Sequence, residues 1–276
     1  MTDNKGLEPG LYIISLPIGN AKDITIRALE YLEKTDEIYC EDTRVTRKLL
    51  SIYEIKKKLN IYHDHNGEYV RPKIIKKIKG GKSIGIVSDA GTPLISDPGY
   101  KLVLSAKKEG LHVTSCPGPS APITALTLSG LPTDSFYYLG FLPLKKKTRD
   151  KSLNEVKNLK TSLLIFETSK KINKTLNDLL LILGNREISI CREMTKKFEE
   201  IITGRIEDIL TILEKKDLKG EIVIVVGAQE EQENNININE IIDNYKGEYS
   251  PSELAKIISN KTGLSKRVIY NKIVKK

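Results

Sequence analysis

The segment 88–99, with the sequence SDAGTPLISDPG, constrains the fold more than any other part of this chain. It follows the apolar run 83–87, which predicts a buried strand. Asp89 and Asp97 lie in it among glycine and proline residues. Such a loop is poor material for a core, but it exposes main-chain groups that hold small polar ligands. We therefore expect a ligand site at the end of this strand.

The same arrangement, an apolar run followed by an unusual loop, occurs four more times before residue 122. These loops are SLPIGN at 15–20, EDTR at 41–44, HDHN at 63–66 and CPGPSA at 116–121, after predicted strands at 11–14, 37–40, 59–62 and 111–115. Open α/β sheets bind ligands at the carboxyl ends of their strands. The pattern therefore predicts five loops on one rim of a mainly parallel sheet.

Helix signals between these strands support an α/β domain. Asp23 is expected to cap a helix that runs to Lys34, and Pro98 is expected to open a helix that ends near Lys108. After the turn-rich segment 129–135, the alternation continues less regularly. Strands are predicted at 136–142, 162–166, 187–191 and 221–226, and helices at 170–183 and 206–215. This second set of elements predicts a second α/β domain.

The domain boundaries follow from changes in composition. We predict a frayed N-terminus at 1–9, α/β domains at 10–120 and 121–228, a polar linker at 229–239 and a helical tail at 240–276. In the tail, a capping box at 250–253 opens one helix, Gly263 interrupts it and Ser265 starts another. The pair is typical of a helix-turn-helix that binds nucleic acid, and equally of a hairpin used for packing or dimerisation.

Composition narrows the class of protein. The chain has 276 residues and a net charge of +9, with lysine clusters at 56–58, 73–82, 145–151, 170–174 and 261–276. A polyanionic partner and a merely lysine-rich surface both explain this charge. No signal peptide and no long apolar run is evident, so a cytoplasmic location is expected and no membrane contact.

Several other patterns do not support a site. The three cysteines, Cys40, Cys116 and Cys191, are far apart in sequence and predict buried thiols rather than disulfides or a zinc site. GGKS at 80–83 is no phosphate loop, because Lys76 occupies the position of the required glycine. No metal site is expected, since His63 and His65 have no third ligand at a matching spacing.

Taken together and in this order, the loops resemble those of a known family. SLPIGN, EDTR, HDHN, SDAGTPLISDPG, CPGPSA, SGLPTD, GFLP and REMTKKFEE look like the motifs of the tetrapyrrole-methylase (class III) S-adenosylmethionine-dependent methyltransferases. Within that family they are most similar to the ribose 2′-O-methyltransferases of small-subunit ribosomal RNA. The resemblance covers about residues 10–228. It departs at 166–171, where FETSKK replaces the usual YESPHR, and at Leu16, where threonine is common.

The resemblance implies a fold, a cofactor and a substrate. It implies two α/β domains with S-adenosylmethionine between them, commonly in a homodimer. It also implies methylation of the ribose 2′-hydroxyl of a cytidine in the decoding region of 16S rRNA. The implied cofactor-binding residues are Ile18, Asp89, Gly91, Thr92, Ser120, Ala121, Phe166, Met194 and Glu221.

Attack by a 2′-hydroxyl requires a proton acceptor, and RNA requires positive charge. The candidates for the first role are Glu41, Asp42, His65 and Glu193, with His63 beside them. The candidates for the second are Arg44, Lys145, Lys146, Lys147, Arg149 and Lys196. For Arg44 a purely structural pairing with Asp42 or Glu41 is an open alternative. The segment 192–200 is either a solvated charged face or a substrate-facing segment.

The sequence leaves two other functions open. A tetrapyrrole C-methylase would share the fold and the cofactor, but the basic composition, EDTR, HDHN and the tail disfavour it. A non-catalytic RNA-binding protein would not need the complete set of cofactor loops.

Overall fold

A computed structural model of the protein describes residues 6–63, 65–229, 242–243, 245, 249–262 and 265–274. The chain forms two compact units, Met1–Gln229 and Glu230–Lys276. Residues 1–5 of the expected frayed terminus and residues 230–239 of the expected linker lie outside the described residues. No helix in the described part of the chain is long and apolar enough to cross a membrane.

The first sheet consists of five parallel strands in the order β3-β2-β4-β1-β5. Its strands are β1 (Gly10–Ile14), β2 (Glu37–Cys40), β3 (Leu59–Ile61), β4 (Ser83–Ile86) and β5 (Val113–Cys116). The connecting helices are α1 (Ile26–Lys34), α2 (Thr43–Ile52), α3 (Gly67–Lys79) and α4 (Tyr100–Lys108). Because all five strands are parallel, the five loops predicted to share a rim do lie at the same edge of this sheet.

The core of this sheet follows from side-chain alternation. On β1, Leu11 packs into one apolar cluster, whereas Tyr12 and Ile14 pack into another. Successive side chains of a strand point to opposite faces, so both faces of the sheet are covered, as is usual for parallel sheets. The three cysteines are buried free thiols, as predicted.

The second sheet is mixed, with strand order β6-β7-β10-β8-β9. Only the β6–β7 pair is parallel, and the other neighbours are antiparallel. Its strands are β6 (Phe136–Phe141), β7 (Ser162–Thr168), β8 (Glu187–Arg192), β9 (Glu200–Arg205) and β10 (Glu221–Val226). The associated helices are α5 (Ala121–Leu128), α6 (Lys146–Val156), α7 (Ile172–Leu183) and α8 (Ile206–Glu214). The predicted α/β architecture with two sheets is confirmed.

The structure differs from the sequence-based expectations at two helix starts and one strand. Thr25, not Asp23, caps α1, because its side chain accepts the Ala28 amide, and Asp23 ends a separate 3-10 turn. Helix α4 begins at Tyr100 rather than at Pro98, because Gly99 between them has a φ of 134°, which is outside the helical region. Strand β9 is not predicted by the sequence, and only its first residue, Glu200, falls in the charged segment 192–200.

The C-terminal unit contains α9 (Pro251–Thr262) and α10 (Lys266–Val274). The predicted capping box is present: the Ser250 amide donates to Glu253 Oε2 at 3.1 Å, and the Glu253 amide donates to Ser250 Oγ at 3.4 Å. Ser265 starts the second helix by accepting the Val268 amide. Leu254, Ile258 and Ile269 belong to a small apolar cluster within this unit.

Candidate active site

A cleft of about 420 Å³ opens at the rim of the first sheet, facing the second sheet. Four of the five predicted rim loops contribute side chains to it: Ile18 after β1, Glu41 after β2, Asp89 after β4 and Ser120 after β5. The fifth loop, HDHN after the edge strand β3, is not among the described residues that line the cleft. The rim therefore forms one concave site from four separate strands.

Hydrogen bonds between the loops fix the wall of the cleft. Leu16 and Gly91 exchange backbone hydrogen bonds of 2.8 and 3.0 Å. Ser15 Oγ donates to Thr92 Oγ1 at 3.2 Å, and Thr92 Oγ1 donates to the Pro119 carbonyl at 3.0 Å. The loops after β1, β4 and β5 are thus joined to one another, which preorganises the site.

The opposite wall comes from the second sheet. Phe166 on β7 stacks edge-on with Phe141, with ring centroids 5.3 Å apart, and both rings line the cleft. Met194, buried to 7% exposure, packs in one apolar cluster with Ile18 from the first sheet. The Asn20 amide donates to Thr195 Oγ1 at 3.0 Å, which holds the segment after β8 against the loop after β1.

Five carboxyl side chains of the described residues line the cleft: Glu41, Asp89, Asp97, Glu167 and Glu221. Burial, together with the nearby charges of Glu41 and Asp89, raises the pKa of Asp97 to about 6. Burial and the neighbouring Asp42 also raise the pKa of Asp89, although Asp89 Oδ1 accepts the Asp42 amide at 3.1 Å. The cleft is therefore acidic, with a carboxyl group that titrates close to neutral pH.

The residues implied for cofactor binding come together here. All nine line the cleft: Ile18, Asp89, Gly91, Thr92, Ser120, Ala121, Phe166, Met194 and Glu221. They derive from both sheets and span more than two hundred positions of sequence, so only the fold brings them together.

The four proposed proton acceptors are not equivalent. Glu41 lines the cleft, whereas Asp42, His65 and Glu193 do not belong to the described residues that line it. Hydrogen bonds from Arg44 lower the pKa of Asp42 to about 2, so that carboxylate is a weak base. The Glu221 amide and Lys196 lower the pKa of Glu193. His65 packs against His63, with ring centroids 5.8 Å apart.

The expectation that Arg149 contacts RNA needs correction. Its side chain is buried, Nε donates to Asp178 Oδ2 at 2.7 Å, and Nη1 donates to the Leu144 carbonyl at 3.0 Å. This guanidinium holds α6 against α7 and faces no solvent. Its place in the basic segment 145–151 does not show which side of the helix it occupies, and the structure puts it on the buried side.

The other candidate RNA-binding residues differ in the exposure of their side chains and in their ion pairs. Lys145, Lys146 and Lys147 are exposed at the N-terminus of α6. Arg44 is exposed and forms an ion pair of 2.6 Å with Asp42, the pairing considered as the structural alternative. Lys196 lines the cleft and pairs with Glu193 and Glu221 at 2.9 and 2.8 Å.

Several residues that line the cleft are not among those expected to do so from the sequence. Asp97 and Ser96 belong to the segment 88–99, and Phe141 belongs to the GFLP motif. Two acids in one Gly- and Pro-rich loop were a signal that both face the ligand.

In the described part of the chain, no group of three or more His, Cys, Asp or Glu residues is arranged to hold a metal ion.

Comparison with known families decides the class of this site. The family model for tetrapyrrole (corrin/porphyrin) methylases matches residues 10–210, which include the whole first sheet, strands β6 to β9 of the second sheet and every lining residue up to Lys196. The chain belongs to the tetrapyrrole methylase family. As a member, it is a methyltransferase that uses S-adenosylmethionine, in agreement with the resemblance in its loops.

Curated relatives of this methylase cover most of its length. A protein of Halalkalibacterium halodurans named ribosomal RNA small subunit methyltransferase I is 43% identical over 98% of this chain and 95% of the relative. A protein of the same name from Thermotoga maritima is 43% identical over 80% of this chain and 99% of the relative.

Solved structures share the fold of this methylase at low identity. A diphthine synthase superimposes with a TM-score of 0.63 at 17% identity, over 79% of this chain and 89% of that one. The uroporphyrin-III-C-methyltransferase of Thermus thermophilus has a TM-score of 0.56 at 19% identity, over 79% of this chain and 94% of that one. At these identities the likeness establishes the fold alone.

Proposed function

We propose that this methylase transfers a methyl group from S-adenosylmethionine to the ribose 2′-hydroxyl of a cytidine in the decoding region of 16S rRNA. The observation that supports it most is the convergence of all nine implied cofactor residues on one cleft. The relatives named ribosomal RNA small subunit methyltransferase I, at about 43% identity, support an rRNA substrate over a tetrapyrrole.

The cleft suits the cofactor in volume and in chemistry. Its volume of about 420 Å³ lies within the usual range for small-molecule sites. Ser120 and Ala121 lie at the start of α5, where the backbone N–H groups of a first turn favour a carboxylate. Phe166, Met194 and Ile18 provide apolar surface for the adenine, and the cleft carboxylates attract the cationic end of the ligand.

When bound, S-adenosylmethionine supplies an electrophilic methyl group on a sulfonium. The protein then has two tasks: to hold the 2′-hydroxyl in line with that methyl, and to accept the hydroxyl proton. Glu41 is the proposed proton acceptor, because it is the one initial candidate for this role that lines the cleft in the described structure. Asp42 and Glu193 are held in ion pairs that lower their pKa values.

RNA contacts are proposed outside the cleft. Lys145 and Lys147 are exposed at the N-terminus of α6, where the helix dipole adds to their positive charge. Arg44 presents its guanidinium to solvent with 86% of its side chain exposed, so phosphates can reach it while it pairs with Asp42. Lys196 is proposed to contact RNA at the mouth of the cleft.

We also propose that the methyl transfer to rRNA takes place in the cytoplasm.

A homodimer is also proposed. Strand β6 is an edge strand of the second sheet, and its Phe136 is 44% exposed. An edge strand with exposed apolar side chains is a surface that proteins usually cover. A second copy of the chain is the proposed cover, and light scattering of the purified protein measures the expected doubled mass.

The function is tested with RNA from a strain that lacks this modification. The protein is incubated with methyl-labelled S-adenosylmethionine and with either free 16S rRNA or small subunits, and the labelled nucleotide is located by nuclease digestion and mass spectrometry. The expected product is one 2′-O-methylcytidine in the decoding region. Label on a base, label at another site, or label only in an added porphyrinogen would contradict the proposal.

A further inference from the structure

A hydrogen bond between two side-chain hydroxyls joins the two sheets across the cleft wall. Ser96, in the loop that follows β4, and Tyr138, on β6, place their hydroxyl oxygens 2.6 Å apart. The neighbours Ile95 and Asp97 line the cleft together with Ser96. The bond therefore connects the acidic loop of the first sheet to the edge strand of the second.

On the loop side, the backbone is held in an unfavourable conformation. Leu94 has a φ of 73° and Ser96 a φ of 64°, in the left-handed region that residues with a Cβ seldom adopt. Each such residue costs about 1 kcal/mol or more, so the conformation persists only where surrounding contacts hold it. Leu94 is held by packing over Gly99, where a Cβ would lie 2.9 Å from Leu94 Cδ1. For Ser96, the bond to Tyr138 is the side-chain contact that holds the residue.

On the strand side, β6 is irregular at the same point. The register between β6 and β7 shifts between Tyr138 and Gly140, and Gly140 has a φ of 63°. A Cβ on Gly140 would lie 2.9 Å from Ser96 Oγ, so only glycine leaves room for the serine. The Tyr138 ring stacks edge-on with Phe166, with centroids 5.4 Å apart. Bulges of this kind reorient a side chain beside a functional site.

We propose that Tyr138 and Ser96 form a latch that positions Ile95 and Asp97 against the bound cofactor. Tyr138 is thus a positioning residue, which acts through Ser96 and touches neither reacting atom. The inference rests on the proposed function in one respect, the location of S-adenosylmethionine in this cleft. Burial raises the pKa of Tyr138, so its hydroxyl keeps its proton for this bond at physiological pH.

Two conservative variants remove the latch from either side. Tyr138→Phe keeps the ring on Phe166 but removes the hydroxyl, and Ser96→Ala removes the other hydroxyl without changing the backbone preference. Each variant is expected to weaken S-adenosylmethionine binding about three- to tenfold in calorimetry, the range for one net hydrogen bond. Each should raise the KM for the cofactor while the KM for RNA stays unchanged.

The double variant distinguishes a latch from two independent effects. If the two hydroxyls act through each other, the double variant Tyr138→Phe with Ser96→Ala should bind S-adenosylmethionine no more weakly than the single variant that has the lower affinity. The matched control is Tyr137→Phe, which removes a hydroxyl from the adjacent residue of the same strand, 47% exposed, and should bind like the parent protein. Thermal denaturation of every variant monitors folding.

The outcomes separate this proposal from the proposed function. Parent-like affinity in both single variants, or losses that multiply in the double variant, would overturn the latch while leaving the function intact. A parent protein that is folded but binds no S-adenosylmethionine would overturn the function itself, and the latch with it. If Tyr138→Phe does not fold, Ser96→Ala alone tests the loop side.

Discussion

At the scale of single residues, the raised pKa of Asp97 is the property that could least be predicted from the sequence. Its pKa is raised to about 6 by burial and by the charges of Glu41 and Asp89, whereas an exposed aspartate stays ionised well below that pH. Ser88 lowers this pKa by a hydrogen bond, but to a smaller extent than burial raises it. The charge of the cleft consequently changes between pH 5 and 7.

Cofactor affinity is expected to follow this titration. Above pH 6 the ionised Asp97 attracts the cationic cofactor, and below it the protonated acid does not. Between pH 7.5 and pH 5.5 the Kd for S-adenosylmethionine should rise about threefold, and Asp97→Asn should flatten the profile. Calorimetry at several pH values measures this, with the exposed Asp134→Asn as the control. An unchanged slope in Asp97→Asn would contradict the assignment.

The same residue should lower the stability of the cofactor-free protein at neutral pH. Because the folded-state pKa of Asp97 exceeds its unfolded-state value, its contribution to the free energy of unfolding becomes less favourable as pH rises through 6. Asp97→Asn is therefore expected to raise that free energy by about 2–3 kcal/mol at pH 8, since folding raises the Asp97 pKa from 3.8 to about 6 and solvent screens part of that effect. Urea denaturation at pH 8 and pH 4 checks this, since the gain should disappear at pH 4.

Glu41 is tested by kinetics rather than by binding. Glu41→Gln removes the proposed proton acceptor, so kcat should fall about a hundredfold or more, the usual contribution of a general base. The Kd for S-adenosylmethionine should rise only about threefold, because one of the carboxylates that attract the cationic cofactor is neutralised. Glu33→Gln on α1 is the control, because Glu33 is exposed and outside the cleft. A kcat within a factor of three of the parent value would assign the proton to another acceptor.

Arg149 has a structural role that its sequence neighbourhood concealed. Arg149→Ala removes the near partner of the buried Asp178 carboxylate and leaves it the Lys146 ammonium at 3.8 Å, so the free energy of unfolding should fall by about 3 kcal/mol, the lower end of the range for a broken buried ion pair. Lys147→Ala, two residues earlier on the same helix and exposed, should change it by less than about 0.5 kcal/mol. Chemical denaturation measures both, and equal stabilities would show that the ion pair contributes little.

At the scale of elements, prediction succeeded where the signal is local. Strands β2 and β10 have the bounds that their apolar runs predicted, and the capping box at Ser250 opens α9 as expected. Strand β9 was missed because its signal is weak: Lys and Glu residues precede Ile201 and Ile202, and pairing with β8 supplies the strand. Such a strand is imposed by its neighbour rather than by its own composition.

The N-terminus of α6 is the element proposed to contact RNA most directly. Reversing two exposed charges, Lys145→Glu with Lys147→Glu, should weaken RNA binding and reduce the slope of log K against log salt by about 1.4 to 1.8. S-adenosylmethionine affinity should be unchanged. Filter binding at several salt concentrations measures the slope, with Lys107→Glu and Lys108→Glu at the end of α4 as the charge-matched control. An equal effect in both pairs would indicate a general charge effect and no local contact.

At the scale of the whole molecule, the C-terminal unit is expected to add to binding rather than to chemistry. Residues 249–276 contain seven Lys or Arg residues and one acid, and the unit has an apolar cluster of its own. The Thermotoga maritima relative aligns over 99% of its length but only 80% of this chain. The unmatched fifth of this chain is close in size to this unit.

Removing this unit tests the expectation. Truncation after Gln229 should leave S-adenosylmethionine affinity unchanged, because the cleft lies wholly in the first unit, and should lower RNA affinity about tenfold. Calorimetry, filter binding and light scattering are applied to the same preparation. Unchanged RNA affinity together with a halved mass would identify the unit as an assembly element instead.

The sequence by itself determined the type of fold and the position of the site along the chain. Apolar runs followed by Gly- and Pro-rich loops are properties of a few adjacent residues, so the rim and its ligand loops were predictable. Only the tertiary structure decided which side chains meet. Ser96 and Tyr138 are 42 positions apart, and Arg149 and Asp178 are 29 apart. Contacts at such separations depend on how the sheets and helices pack, and a local pattern has no information about that packing.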